Sequence, residues 1–225
     1  MRIAIDGPAG AGKSTVAKAV AKKLGFIYVD TGAMYRAIGL YLMEKKLNFL
    51  DEEPLRRALD EVQLDIGYEN DVQQVYLNGK NVTSQIRTEA AGNMASQVSA
   101  LLPVREKLVE IQQDMGRRAN VVMDGRDIGT VVLPDAELKI YFTASSRVRA
   151  ERRYRELAEK GIISTIEEVE AEIIARDYRD MHRKHSPLKQ AEDAVLVDSS
   201  EMTVNDALQA VLKLAQEVNP ELAKL

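Results

Sequence analysis

Residues 7–14 read Gly7-Pro8-Ala9-Gly10-Ala11-Gly12-Lys13-Ser14, which fits the pattern G-x-x-x-x-G-K-S/T. The pattern constrains the fold because it works only between a strand and a helix. Before it, Ile3, Ala4 and Ile5 form a short apolar run ending at Asp6; after it, residues 15–24 carry helical spacing that stops at Gly25. Glycines let the backbone wrap closely round phosphate oxygens, with several N–H groups turned inward. A helix starting near Lys13 adds the positive end of its dipole. In such a loop Lys13 supplies a positive charge for the β- and γ-phosphates, and the Ser14 hydroxyl is a ligand for Mg²⁺. Gly7, Pro8, Ala9, Gly10, Ala11, Gly12, Lys13, Ser14 and Thr15 are therefore the expected phosphate-binding residues, the ones that would take ATP if the chain is a kinase.

The rest of the chain alternates. Short apolar runs at 26–29, 121–123, 138–142 and 194–197 read as buried strands, with helical stretches between them. Five such strands imply a parallel sheet covered by helices on both faces, an α/β fold of the P-loop NTPase type. Ligands of such sheets bind beyond the carboxyl ends of the strands. Asp6, Asp30 and Asp124 each directly follow a strand and should lie along that rim. Residues 51–87 depart from the alternation: Leu64, Ile66 and Tyr68 alternate, Val75 and Leu77 lead into Asn78-Gly79, and Val82 follows, the signature of a small antiparallel insertion. A charged helix is expected over 146–160, closed by Gly161, and Thr165-x-x-Glu168 resembles a capping box for the next.

Bulk properties narrow the function. A chain of 225 residues allows one sizeable core with small excursions. A net charge of −4 leaves no global basic field for nucleic acid, so an anionic ligand must be held by local Arg and Lys clusters. With no cysteine there is no disulfide, thiolate metal site or cysteine nucleophile. The N-terminal apolar run is too short for a signal peptide, and no apolar stretch is long enough to span a membrane. A cytoplasmic location and no membrane partner are the expectation.

No Asn-Lys-x-Asp segment occurs, which argues against a Ras-like guanine-specific GTPase. A kinase for a small acceptor needs a second anion site, and three segments could build it. In Asp30-Thr31-Gly32-Ala33-Met34-Tyr35-Arg36, Thr31 is expected to cap a helix whose N-terminus favours phosphate, with Arg36 one turn on. A capped helix with an exposed arginine describes these residues equally well. Asp124-Gly125-Arg126-Asp127 follows a buried strand, where Asp124 can support Mg²⁺ through water; a turn with structural ion pairs is the plainer account. In the helix after Thr165 the stripe Ile166, Val169, Ile173 continues as Arg176, Arg179 or Asp180, then Arg183, so a core-facing side turns charged within one helix, with Arg176, Asp180 and Arg183 on one side. A solvated helix end with ion pairs fits that pattern too. Arg147, Arg149, Arg152, Arg153 and Arg155 suit a flap that neutralises charge, although most fit a solvated helix. His182 and His185 make no convincing metal or catalytic pair.

Together these segments resemble bacterial cytidylate kinases, of the nucleoside monophosphate kinase group, over nearly the whole chain. The resemblance rests on IDGPAGAGKST (5–15), DTGAMYR (30–36), ASQVSA (95–100), VRE (104–106), DGRDIGTVV (124–132) and ARDYRDMHR (175–183). The first is shared by many NTPases; the others, in this order, are specific. It implies a core (1–30, 88–145 and 184–225), an NMP-binding domain (31–87) with an insertion near 63–83, and a helical lid with flanking helices (146–183). It implies that ATP with Mg²⁺ phosphorylates CMP and dCMP, and a monomer is expected. Thr31, Arg36, Arg126 and Arg183 would hold the acceptor phosphate, with Tyr35 packed near the nucleotide and Asp124 beside the site. Ser96, Arg105 and Asp127 would read the cytosine edge, and Arg176 and Asp180 would reach sugar and phosphate. Lys13, Arg126 and Arg183 would be catalytic, and Arg149 and Arg153 would join the ATP set. The family often has Ser at the position of Thr31; both offer a hydroxyl. The remaining alternatives are another P-loop kinase, acting on UMP, AMP or a non-nucleotide alcohol, and a nucleotide-binding module without turnover.

Overall fold

The computed structural model describes residues 1–49, 51–69 and 72–224. In chain order the strands are β1 (Arg2–Asp6), β2 (Ile27–Asp30), β3 (Leu64–Glu69), β4 (Val72–Leu77), β5 (Lys80–Asn81), β6 (Val121–Gly125), β7 (Leu138–Thr143) and β8 (Val195–Asp198). The helices are α1 (Lys13–Leu24), α2 (Thr31–Lys45), α3 (Glu52–Asp60), α4 (Glu89–Val98), α5 (Leu102–Arg118), α6 (Ser146–Glu159), α7 (Ile166–His182) and α8 (Val204–Val218). Two compact units result, one of Met1–Tyr28 with Ala119–Leu225, the other of Val29–Arg118. Among the described residues no helix is long and apolar enough to cross a membrane.

The first unit is built on the five-stranded sheet, in the order β2-β6-β1-β7-β8. β1 pairs in parallel with β6 and β7, and β7 with β8. Strands covered on both faces carry continuous apolar runs rather than alternation, as Val121, Val122 and Met123 do. Ile3, Ile5, Val122, Ile140 and Phe142 share one core with Val16, Val20 and Leu24 of α1 and Val211 and Ala215 of α8. Gly25, at φ 65°, ends α1 in the left-handed region, as the sequence predicts. A smaller cluster joins α6 to α7 through Ala150, Leu157, Val169 and Ile173. The capping box at the head of α7 is present: Thr165 Oγ1 accepts from the Glu168 N–H, and the Glu168 carboxylate accepts from the Thr165 N–H. A second box, Thr203 with Asp206, starts α8 and escapes a search for Glu or Gln at the third helical position.

In the second unit α2 buries Met34, Ala37, Ile38, Tyr41 and Leu42. Gly39 lets α4 approach: a Cβ there would stand 2.7 Å from Met94 Cγ. The expected antiparallel insertion is the sheet β3-β4-β5, with Leu64 opposite Leu77. Asn78 (φ 49°) and Gly79 (φ 77°) turn the chain from β4 into β5. Val82 lies just past β5, its N–H donating to Val75 O at 2.9 Å. One expectation is corrected here. Thr31 does not cap α2; Asp30 does, its carboxylate accepting from the Ala33 N–H at 2.7 Å. β2 runs into the helix with no loop between them, so the last strand residue, still extended at φ −80° and ψ 94°, is the cap.

Candidate active site

The phosphate-loop segment joins β1 to α1 in six residues, with Gly7, Gly10 and Gly12 at φ 149°, 75° and 93°. Gly7 is obligatory on space as well, because a Cβ would lie 1.9 Å from Phe142 O. Three loop carbonyls are turned toward side-chain donors. Pro8 O accepts from Lys13 Nζ at 2.7 Å, Ala9 O from Arg149 at 3.0 Å, and Ala11 O from Arg152 and the Ser199 hydroxyl at 3.2 Å each. There are no cis peptides among the described residues. A trans peptide sets its C=O and the following N–H on opposite sides, so the N–H groups of Gly10 and Gly12 are turned away from Arg149, Arg152 and Ser199. No side-chain cap occupies the start of α1 either. N–H groups so turned, beside a helix start without a side-chain cap, are donors suited to an anion.

Lys13 is buried. Burial first, and Arg126 next, pushes its ammonium down to about 7, with Asp124 and Asp6 pulling the other way. Arg176 also pushes it down. Ser14 Oγ donates to Asp124 Oδ2 at 2.7 Å, and Tyr28 donates to Asp124 Oδ1 at 2.9 Å. Among the described residues no group of three His, Cys, Asp or Glu could hold a metal. One hydroxyl and one carboxylate suit a Mg²⁺ whose remaining ligands are water and substrate phosphate.

Asp6, at the end of β1, accepts from the N–H of Ile128 at 2.8 Å and of Gly129 at 2.7 Å. Burial pushes its carboxyl up to about 6 despite those two bonds. It thereby ties the residue before Gly7 to the turn that follows Arg126 and Asp127. Those two side chains meet the end of α7. Arg126 Nε donates to Asp180 at 2.9 Å, and an Arg183 terminal nitrogen lies 3.5 Å from Asp127 Oδ1. Arg183 Nε donates to Ser186 O at 2.7 Å. Asp127 and Asp180 are buried. The first unit thus brings Arg126, Asp127, Asp180 and Arg183 together, as the turn from apolar to charged along α7 suggests.

In the second unit Arg36 pairs with Asp30 at 3.1 Å. Arg105 is buried, donates to Ser99 O at 3.1 Å, and lies over the Tyr35 ring at 5.6 Å. Ser96 sits one turn earlier on α4, its backbone carbonyl accepting from the Ser99 hydroxyl at 3.0 Å. Thr31 is buried.

The arginines of α6 divide. Arg149 and Arg152 point into the molecule and hold loop carbonyls; Arg153 and Arg155 are solvated and pair along the helix with Glu156 and Glu151. His182 stacks on Tyr178 at 4.0 Å. Sequence reasoning missed Tyr28, Asp177 and Ser199 and gave Asp6 no contact. Only the strand-end position of Asp6 and the place of Asp177 inside ARDYRDMHR were available as signals.

A family model described as cytidylate kinase matches residues 3–217. A cytidylate kinase of Thermotoga neapolitana is 51% identical over 217 residues, covering 96% of this chain and 97% of that protein. One from Caldicellulosiruptor saccharolyticus is 50% identical over 218 residues, covering 97% and 96%. Among solved structures, an uncharacterized protein from Eubacterium ventriosum superposes with a TM-score of 0.54 at 12% identity, covering 96% of this chain and 98% of its own, a likeness of fold alone.

Proposed function

This chain belongs to the cytidylate kinase family, and we propose on that premise how its residues move the γ-phosphoryl of ATP to the phosphate of CMP or dCMP. Residues 7–15 hold the ATP phosphates through the inward N–H groups, with Lys13 on the β- and γ-phosphates. The place of Lys13 against the loop, its Nζ donating to Pro8 O at 2.7 Å, supports this role. Ser14 would hold Mg²⁺, with Asp124 acting through water, and the ion would supply neutralisation of phosphate charge.

The acceptor contacts are those that membership of the family implies. Thr31, Arg36, Arg126 and Arg183 take its phosphate, Tyr35 packs near the nucleotide, and Arg176 and Asp180 reach sugar and phosphate. Ser96, Arg105 and Asp127 read the base. Asp127 accepts from the cytosine amino group, where uracil presents a carbonyl that would face the carboxylate lone pairs. No general base is needed, because the acceptor phosphate is already an anionic nucleophile. The chain's part is alignment and charge neutralisation. Residues 146–183 act as a lid, Arg153 among its candidate ATP contacts, and water is kept from the transfer when it closes. A cytoplasmic monomer remains the expected state of the chain.

The observation that carries the reading is the cluster of Arg126–Asp180 and Arg183–Asp127 in the same unit as the braced loop. A nucleotide-binding module without an acceptor has no use for it, since buried ion pairs contribute little to stability after desolvation. The test is ADP release with CMP, dCMP, UMP, AMP or no acceptor. CMP and dCMP should stimulate release far above the blank. CMP giving no more ADP than the blank would sink the proposal.

A further inference from the structure

Arg149 is held by three groups from three parts of the first unit. Its Nε donates to Ala144 O at 2.9 Å, at the head of its own helix. One terminal nitrogen donates to Ala9 O at 3.0 Å and also stands 2.7 Å from Asp177 Oδ2 on α7. Its stem packs over Gly10, where a Cβ would lie 3.5 Å from Arg149 Cβ. The pair is secluded, with side-chain exposures of 7% for Arg149 and 12% for Asp177.

Asp177 is not explained as a stability device. Its second oxygen, Oδ1, is buried with no hydrogen-bond partner. A half-satisfied buried carboxylate is a cost to folding, so the residue is better understood through what its charge holds. An arginine side chain has many rotamers and accepts any oxygen within reach. Pinned by Asp177 on α7 and by Ala144 O at its own helix head, Arg149 presents one nitrogen to the Ala9 carbonyl. Whatever keeps that carbonyl turned outward keeps the Gly10 N–H turned inward. One helical turn further on, Asp180 holds Arg126 at 2.9 Å. A single face of α7 therefore sets both an outer brace of the phosphate loop and an arginine beside Lys13.

We propose that Asp177 is a positioning residue for ATP: by fixing Arg149 against the Ala9 carbonyl, it holds the loop in the orientation that presents the Gly10 N–H to the triphosphate. This rests on the assignment of residues 7–15 to ATP. The test uses the full chain, with ATP and CMP titrated separately by calorimetry and the melting temperature recorded for each variant. In Asp177→Asn the ATP Kd should rise roughly tenfold, the size of losing one charge-assisted hydrogen bond. The CMP Kd should stay within about twofold, since the brace acts on the phosphate loop alone. Arg149→Lys keeps a charge beside Asp177 but cannot reach both acceptors with one planar fork, and should weaken ATP comparably. The double variant should then be no worse than Arg149→Lys alone, because both changes act through one brace.

Wild-type affinity for ATP in Asp177→Asn overturns the proposal. So does equal weakening of ATP and CMP with a falling melting temperature, the mark of a merely structural role, or a double variant in which the two losses multiply. If Asp177→Asn does not fold, Arg149→Lys decides, and unchanged ATP affinity there refutes the brace. A wild-type chain that binds no ATP refutes the loop assignment itself, whereas wild-type binding beside an unaffected Asp177→Asn refutes only this inference.

Discussion

Gly7→Ala tests the physical account of the loop most directly. A Cβ at residue 7 would stand 1.9 Å from Phe142 O, a backbone atom of β7. A carbon–oxygen contact settles at about 3.3 Å, so the loop and β7 would have to part by roughly 1.4 Å. The obstacle belongs to a paired strand, with Asp6 in register with Tyr141, and no rotamer change relieves it. Overpacking of this kind costs about 1–3 kcal/mol, and a φ of 149° adds about 1–3 kcal/mol for a residue with a Cβ. At roughly 2–4 °C per kcal/mol for a chain of this size, the melting temperature should fall by on the order of 10 °C. Catalysis should suffer separately, because a displacement of about 1 Å in a positioned site can cost on the order of a hundredfold. Gly25→Ala is the matched control: φ is 65°, but nothing lies within 4 Å of its Cβ position. It should cost only about 1–2 kcal/mol, from the left-handed backbone, and leave kcat/KM for ATP untouched. The assays are thermal unfolding by circular dichroism and coupled ADP release. A Gly7→Ala chain that melts within about 2 °C of wild type, a change of less than about 1 kcal/mol, and turns over ATP normally would refute the steric reasoning. Equal damage from both variants would refute the claim that Phe142 is the obstacle.

Asp6 supplies a pH prediction. Its carboxyl is pushed up from 3.8 to about 6, so between those values the folded chain keeps a proton that the unfolded chain has lost. Stability must therefore fall as pH rises through that window, by about 3 kcal/mol if Asp6 acted alone. Urea unfolding of wild type and Asp6→Asn from pH 4 to 7 should show the variant gaining on wild type as pH rises; a constant gap would contradict the assignment. Asp127→Ala should lower kcat/KM for CMP by roughly five- to 150-fold, the equivalent of about 1–3 kcal/mol, while affecting UMP far less. Equal losses across the acceptor panel would remove its role as base reader.

Much of the fold was legible because it rests on local rules. Continuous apolar runs marked the parallel strands, Gly25 and Gly161 marked helix ends, Asn78-Gly79 marked the hairpin, and Thr165 with Glu168 marked a cap. The misreading of Thr31 was local too: either Asp30 or Thr31 offers a capping oxygen, and the choice depends on where β2 stops. What stayed hidden is contact across the chain. Nothing near Asp6 in sequence says that it accepts from Ile128 and Gly129, and nothing near Asp177 says that it meets Arg149.

The arginines show why site chemistry is harder to place than site membership. Eight of the fourteen residues 146–159 are charged, and of the apolar ones only Ala150 and Leu157 are buried, so the sequence does not say which arginines turn inward. A guanidinium is satisfied equally by a phosphate oxygen or a peptide carbonyl. The family resemblance puts Arg149 and Arg153 with ATP, whereas the arginines that reach the phosphate loop are Arg149 and Arg152. In the structure they hold its outer side, through Ala9 O and Ala11 O. Because peptide C=O and N–H groups are rigidly opposed, a cation outside the loop and an anion inside it favour the same backbone orientation. Donors on the outer carbonyls can therefore preorganise the inner N–H groups without touching the anion. This is a form of electrostatic support to which one turn of α7, from Asp177 to Asp180, contributes twice.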